Sequence, residues 1–331
     1  MKMNQIIPRK LLFCDVGARG GIADPWKSFQ DFLGLISFEP DKEEYEVLLS
    51  SKNESDQISH YALYKDKREL SLHLTKSRAC SSVYLPNVRF LKEFPDANRF
   101  EIEKTVSVPA TSLDALYREE VLRNMDFIKI DVQGAELDIL QGGKKFLSDH
   151  ILGVEVEVEF QAMYENQPLF SDVDYFIRNN LGLQLQDLRK TYWKYKDGIK
   201  TGASKGQLIF GDALYYRTPS AMLSWCSRFP KEESSSKIQM ACLMGLAYGY
   251  LDYCLCLLGQ KSIGDFLDKE TISNWRNYIT RYGRSFKYNG KGSERLAAVL
   301  NIIYRICQPT HEGWGSSGHH LGSKKKLGVF Y

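Results

Sequence analysis

Short apolar runs, each closed by an acidic residue and then a turn, recur through the first half of this chain. Leu11-Leu12-Phe13-Cys14 is continuously apolar, as a strand covered on both faces of a parallel sheet must be. The run closes on Asp15 and passes into Gly17-Ala18-Arg19-Gly20-Gly21, where glycines allow a tight turn and a close backbone approach. A second run, Leu35-Ile36-Ser37-Phe38, closes on Glu39-Pro40-Asp41. A third, Phe127-Ile128-Lys129-Ile130, closes on Asp131, with Gly134 for the turn and an amphipathic helix starting near Ala135. Between them the pattern predicts a helix from Asp24-Pro25-Trp26 to about Leu33, capped by Asp24 and ended by Gly34. It also predicts a helix over 41–50, a strand over 58–64 and an alternating strand over 69–74. A loop over 76–88 follows, then a strand over 102–108 interrupted by Pro109, and a helix to about Asn124 capped by Thr111 or Ser112.

Residues 153–160 alternate strictly, with Val154, Val156 and Val158 on one face and Glu155, Glu157 and Glu159 on the other. A central parallel strand should be apolar on both faces. Either the charged side meets solvent, or Glu157 and Glu159 enter a cleft while Glu155 serves the structure. Buried carboxylates need a Lys, Arg, water or metal beside them. A short helix capped by Ser171 or Asp172 precedes strands over 183–193 and 207–217, which should pair antiparallel because no helix separates them. Beyond Pro219 the pattern turns helical, over 231–259, 262–282 and 294–307, with Tyr248, Tyr250 and Tyr253 as packing residues. From Gln308 the chain reads as a flexible, solvated end carrying His319-His320 and Lys324-Lys325-Lys326.

The net charge of +3 on 331 residues, without a basic block interleaved with aromatics, argues against a nucleic-acid partner. No apolar run approaches the roughly 20 residues needed to span a bilayer, and residues 1–10 lack a secretory apolar core. Seven cysteines in no framework spacing fit a reducing cytosol. Cys254-x-Cys256 has the wrong spacing for a zinc or redox motif and reads as buried small residues.

The chemistry lies in the acids that close the strands, because open α/β sheets bind ligands at their carboxyl edge. An acid on the second strand, roughly 20 residues past the glycine turn, accepts hydrogen bonds from ribose hydroxyls, and Glu39 holds that place. The turn reads D-x-G-x-x-G-G, not the dinucleotide G-x-G-x-x-G. A pyrophosphate wants no negative charge beside it. Asp15 with Glu39 therefore favours a nucleoside bearing a positive group, such as S-adenosylmethionine. A nicotinamide-dependent sugar dehydrogenase or epimerase is the alternative, and Tyr192-x-x-x-Lys196 has its spacing; a non-catalytic nucleoside-binding scaffold is another.

On these residues the chain resembles the FkbM-type methyltransferases. The likeness runs through Asp15 to Gly21, Phe38-Glu39-Pro40-Asp41, Ala62-Leu63, Cys80-Ser81-Ser82-Val83 with Pro86-Asn87, and Ser112-Leu113-Asp114. Asp126 to Glu136, Val154 to Phe160 and Gln167-Pro168-Leu169-Phe170 complete it over about residues 10–217. The resemblance implies a Rossmann-like class I methyltransferase sheet, mostly parallel with an antiparallel C-terminal hairpin. It implies a methyltransferase domain over 1–217, a helical extension over 218–307 and a tail over 308–331. It implies O-methylation of a sugar, glycan or related small metabolite in the cytoplasm with S-adenosyl-L-methionine. Asp15, Gly17, Ala18, Arg19 and Gly20 would wrap the methionine moiety, Glu39 with Pro40 would hold the ribose, and Ala62 and Leu63 would border adenine. Asp131 would lie near the methyl group. Asp131, then Glu159, is the candidate base, and Glu136 braces the loop. A divalent metal could sit among Asp131 and the glutamates, and a homo-oligomer could form through the helical extension.

Overall fold

The computed structural model describes residues 3–54, 56–198, 206–283, 293–307, 314–318 and 321. Eight strands form one sheet in the order β11-β9-β10-β8-β7-β1-β2-β3. These are β1 (Leu11–Val16), β2 (Leu33–Phe38), β3 (Gln57–Ser59), β7 (Phe127–Ile130), β8 (Gly153–Glu159), β9 (Gln184–Trp193), β10 (Gln207–Tyr216) and β11 (Gly315–Ser317). The run from β8 to β3 is parallel, and β10, β9 and β11 add antiparallel. A second sheet holds β4 (Ala62–Leu63), β5 (Arg68–Thr75) and β6 (Ile102–Thr111) in the order β4-β6-β5. The helices in chain order are α1 (Lys42–Ser51), α2 (Val88–Leu91), α3 (Leu113–Arg118), α4 (Glu136–Gly142), α5 (Lys144–His150) and α6 (Phe170–Phe176). The C-terminal set is α7 (Pro219–Cys226), α8 (Lys231–Tyr248), α9 (Leu251–Leu258), α10 (Lys269–Tyr282) and α11 (Ser293–Cys307).

The strand periodicity of two assigns the faces of the large sheet. Val16, Ile128, Ile130, Val154, Val156 and Val158 point one way, into a core shared with Leu113, Leu140 and Phe146 of the crossover helices. Phe13, Phe127 and Leu214 point the other way, where β1 and β2 are joined only by a 3-10 turn at Trp26–Phe32. A parallel crossover ordinarily lays an α-helix over its face. Here α7 to α10 take that place. Met222, Met244, Tyr248 and Trp275 share one core with Phe13, Trp26 and Phe127. Helices α7 to α10 thus supply a layer of the sheet's own core.

Several local expectations are corrected. Asp24 makes no capping bond, and Gly34 sits inside β2 opposite Leu12, where a Cβ would stand 3.0 Å from the Leu12 side chain. The strand expected over 58–64 is two, β3 and β4, in different sheets. Pro109 lies within β6 opposite Glu69, and the helix capped by Ser112 stops at Arg118. Neither Ser171 nor Asp172 is the cap of α6; the helix starts at Phe170, and Asp172 accepts the Leu169 N–H at 3.0 Å. Gly249, at φ 79°, breaks the long helical run into α8 and α9. The expected flexible end is in part a strand: β11 pairs with β9, and Leu321 is buried in the core. His319, His320 and Lys324 to Lys326 lie outside the described residues.

Candidate active site

In-register pairing builds the site. Asp15 of β1 stands opposite Lys129 of β7, which stands opposite Glu155 of β8. These positions share a face with the apolar rows below them, so the same face turns from aromatic to charged towards the carboxyl ends. Strand order then places the turns after β7, β1 and β2 side by side, carrying Asp131, Asp15 to Gly20, and Glu39.

A cleft of about 250 Å³ opens above these ends. Gly17, Arg19, Glu39, Pro40, Ala62, Leu63 and Asp131 line it, joined by Leu72, Leu74 and Val83 from the small-sheet side. Asp15, Ala18 and Gly20 do not line it; Asp15 lies one step beneath, linked through Lys129, which does. Lys129 Nζ is 3.8 Å from Asp15 Oδ1 and 3.5 Å from Asp131 Oδ2. Burial alone would lower the lysine's pKa, but Asp131, Asp15, Glu155 and Glu157 together hold it above its ordinary value. Asp15 is pushed up to about 6, chiefly by burial, with Lys129 pulling the other way. Its Oδ1 receives no hydrogen bond from the described residues. Glu39 is raised to about 7 by burial, and its Oε1 accepts the Asp41 N–H at 2.9 Å. Arg19 reaches back to Asp41 at 3.0 Å and Glu44 at 2.9 Å, fixing the turn against α1.

Gly17 has φ 78°, and a Cβ there would stand 2.0 Å from the Asp131 carbonyl oxygen. The two glycine-bearing turns are therefore in backbone contact, which sets their spacing. The turn after β7 is braced from within. Glu136 accepts the Val132 N–H at 3.0 Å and the Gly134 N–H at 2.9 Å. Gln133, at φ 62°, donates its amide to Asp131 at 3.0 Å and to Glu157 at 2.5 Å, and accepts from the Tyr164 hydroxyl at 3.2 Å.

The three glutamates of β8 part ways. Glu155 accepts from the Tyr248 hydroxyl of α8, which in turn accepts from Trp26 Nε1 at 3.0 Å. Glu157 is held by Gln133. Glu159 is 1% exposed, does not line the cleft, and packs with Glu136 and Glu157. Carboxylate oxygens of that trio lie within 4.8 Å of one another, an all-oxygen set of the kind that holds Mg²⁺ or Ca²⁺. Burial raises all three pKa values, Glu136 to about 7 and the other two well above the ordinary range. The expected solvent-facing or cleft-facing alternatives for this strand give way to a third outcome: all three acids are buried, Glu155 and Glu157 against protein donors, while Glu159 Oε1 receives no hydrogen bond from the described residues.

Sequence reading missed Leu72, Leu74, Tyr61 and Arg78 in the cleft wall. The alternation of Leu70, Leu72 and Leu74 marked an apolar face without saying what it would meet. Tyr192 and Lys196 do not line the cleft; Tyr192 pairs with Leu208 and Ser316 on the antiparallel strands.

A family model for the methyltransferase FkbM domain matches residues 15–184, just over half of the chain. No curated protein matches the sequence. Among solved structures, the methyltransferase FkbM from Methylobacillus flagellatus KT aligns at 11% identity and TM-score 0.33, over 61% of this chain and 43% of that one. This chain thus spans less than half the length of that protein. A Streptococcus pneumoniae protein described as a candidate tRNA (m1A22) methyltransferase aligns at 12% identity and TM-score 0.33, over 86% and 100%. A Pyrococcus horikoshii protein described as a candidate RNA methyltransferase aligns at 10% and TM-score 0.30, over 65% and 78%. Likenesses this distant carry no weight for substrate.

Proposed function

This chain belongs to the FkbM methyltransferase family, and from that premise we propose that it O-methylates a hydroxyl of a sugar, glycan or related small metabolite in the cytosol. S-adenosylmethionine, the cofactor the family implies, supplies an electrophilic methyl on a cationic sulfur. The residues present fit that group. Asp15, one step beneath the cleft, and Asp131 on its wall together outnumber the Lys129 charge between them, which leaves this end of the cleft suited to a cationic group. Glu39, anchored by Asp41, lines the cleft beside Pro40, suited to ribose hydroxyls. Ala62, Leu63, Leu72 and Leu74 offer an apolar wall for a flat base.

The observation that carries the reading is Asp131. It is an acid on the cleft wall at the carboxyl end of β7, its Oδ1 held by Gln133 and its Oδ2 beside Lys129. An alcohol attacks poorly until its proton is taken, and a positioned base helps by ~10²–10⁴. Gln133 and Lys129 would orient Asp131, and the Gly17 contact would hold the two turns at a fixed separation. Glu159, the other candidate base, is buried away from the cleft, so Asp131 takes the role. Asp131→Asn should bind S-adenosylmethionine by calorimetry within a few fold of wild type while turnover falls ~10²–10⁴. Full turnover in that variant would remove Asp131 from the chemistry. The acceptor would be found by mass spectrometry of glycans and metabolites from cells lacking the protein, as one missing methyl group.

A further inference from the structure

Among the described residues, none from α11 belongs to the hydrophobic cores described above. Its side chains at Leu296, Val299, Leu300, Ile302 and Ile303 are 49–57% exposed. Leu296, Val299, Leu300 and Ile303 follow the i, i+3, i+4, i+7 spacing of one helical face. Large apolar side chains exposed along one helical face mark an interaction site. The charge of the surrounding sequence identifies the partner. Residues 281–331 contain nine Lys and Arg against two Glu, whereas residues 1–280 contain 35 against 39 acids. The modest net charge of the whole chain conceals this asymmetry.

We propose that α11 is an amphipathic anchor that lies in the surface of an anionic membrane. Apolar side chains in the acyl boundary and cations at the headgroups are the two terms such binding requires. A nucleic acid would engage the cations and leave the leucine and isoleucine side chains in water. A second copy docked on α11 would bring together two 281–331 segments, each with nine Lys and Arg against two Glu. The bilayer satisfies both features at once. Among the described residues no helix is long and apolar enough to cross a membrane, so the contact is interfacial. Such docking would bring the enzyme to acceptors carried on lipid, an extension that rests on the O-methylation reading; the anchor itself does not.

The test is co-sedimentation of the full chain with vesicles of phosphatidylcholine alone or mixed with phosphatidylglycerol. Binding should require the anionic lipid and weaken steeply with salt. Leu300→Glu together with Ile303→Glu should abolish it. Arg295→Glu should weaken it by at least about fivefold, as expected near an anionic surface. All variants should bind S-adenosylmethionine as wild type does, which certifies folding and separates this result from the catalytic reading. No binding to either vesicle, or equal binding to both, overturns the proposal. So does a stable dimer in light scattering that the Leu300→Glu, Ile303→Glu variant dissolves.

Discussion

Replacing Asp15 with Asn should stabilise the protein and impair it at once. Asp15 is 5% exposed, and its pKa rises from 3.8 to about 6 because burial outweighs the pull of Lys129. A folded-state pKa raised above the unfolded one reverses the usual behaviour of an acid. Between pH 3.8 and about 6 the native state holds a proton that the unfolded chain has released, so stability falls as pH rises through that window. At about 1.4 kcal/mol per unit, the ionised carboxylate costs about 3 kcal/mol at neutral pH and above, and nothing below both values. Asp15→Asn removes that charge in nearly the same volume. Urea denaturation should show the variant about 2–3 kcal/mol more stable at pH 8, with the gain shrinking towards zero near pH 4. In calorimetry at pH 8 the same variant should lose tenfold or more in S-adenosylmethionine affinity. Two results would refute the reasoning: a variant less stable than wild type at pH 8, or a gain of equal size at pH 4, which would exclude charge as its source.

Gly17→Ala should be severe, since the new methyl group meets the Asp131 carbonyl at 2.0 Å in a left-handed backbone; thermal unfolding should fall by several degrees and cofactor titration should show no binding. Tyr248→Phe removes the hydroxyl that donates to Glu155 and accepts from Trp26, and should cost about 1.5–3 kcal/mol in denaturant melts. Because burial holds Glu155 near 7, that loss should be larger at pH 8 than at pH 6. Turnover should survive a chelator, because Glu136 already accepts the Val132 and Gly134 N–H groups and Glu157 accepts from Gln133. Loss of activity restored by Mg²⁺ would contradict this.

Much of the site could be read along the chain because it is built from local signals. An apolar run, an acid and a glycine lie within ten residues, and strand geometry alone carries that acid to the sheet's edge, as at Asp15 and Asp131. The Glu136 brace is equally local, since it closes on Val132 and Gly134. The wall formed by Leu72 and Leu74 had no such signal; its alternation declares a face but not the neighbour that covers it. Glu159 illustrates the same gap. It has the alternation of Glu155 and Glu157, yet each of the three meets a different element.

By itself, the sequence determined the parallel strands, the acids at their ends, the antiparallel hairpin and the helical character of the last third. All of these follow from periodicity and turn chemistry within short windows. Only the tertiary structure decided that α8 would supply Tyr248 to Glu155, that Lys129 would bridge Asp15 and Asp131, and that α7 to α10 would form the sheet's second layer. Those contacts join residues more than ninety positions apart, or depend on strand order, and no short-range pattern encodes which distant surface will cover a given apolar face.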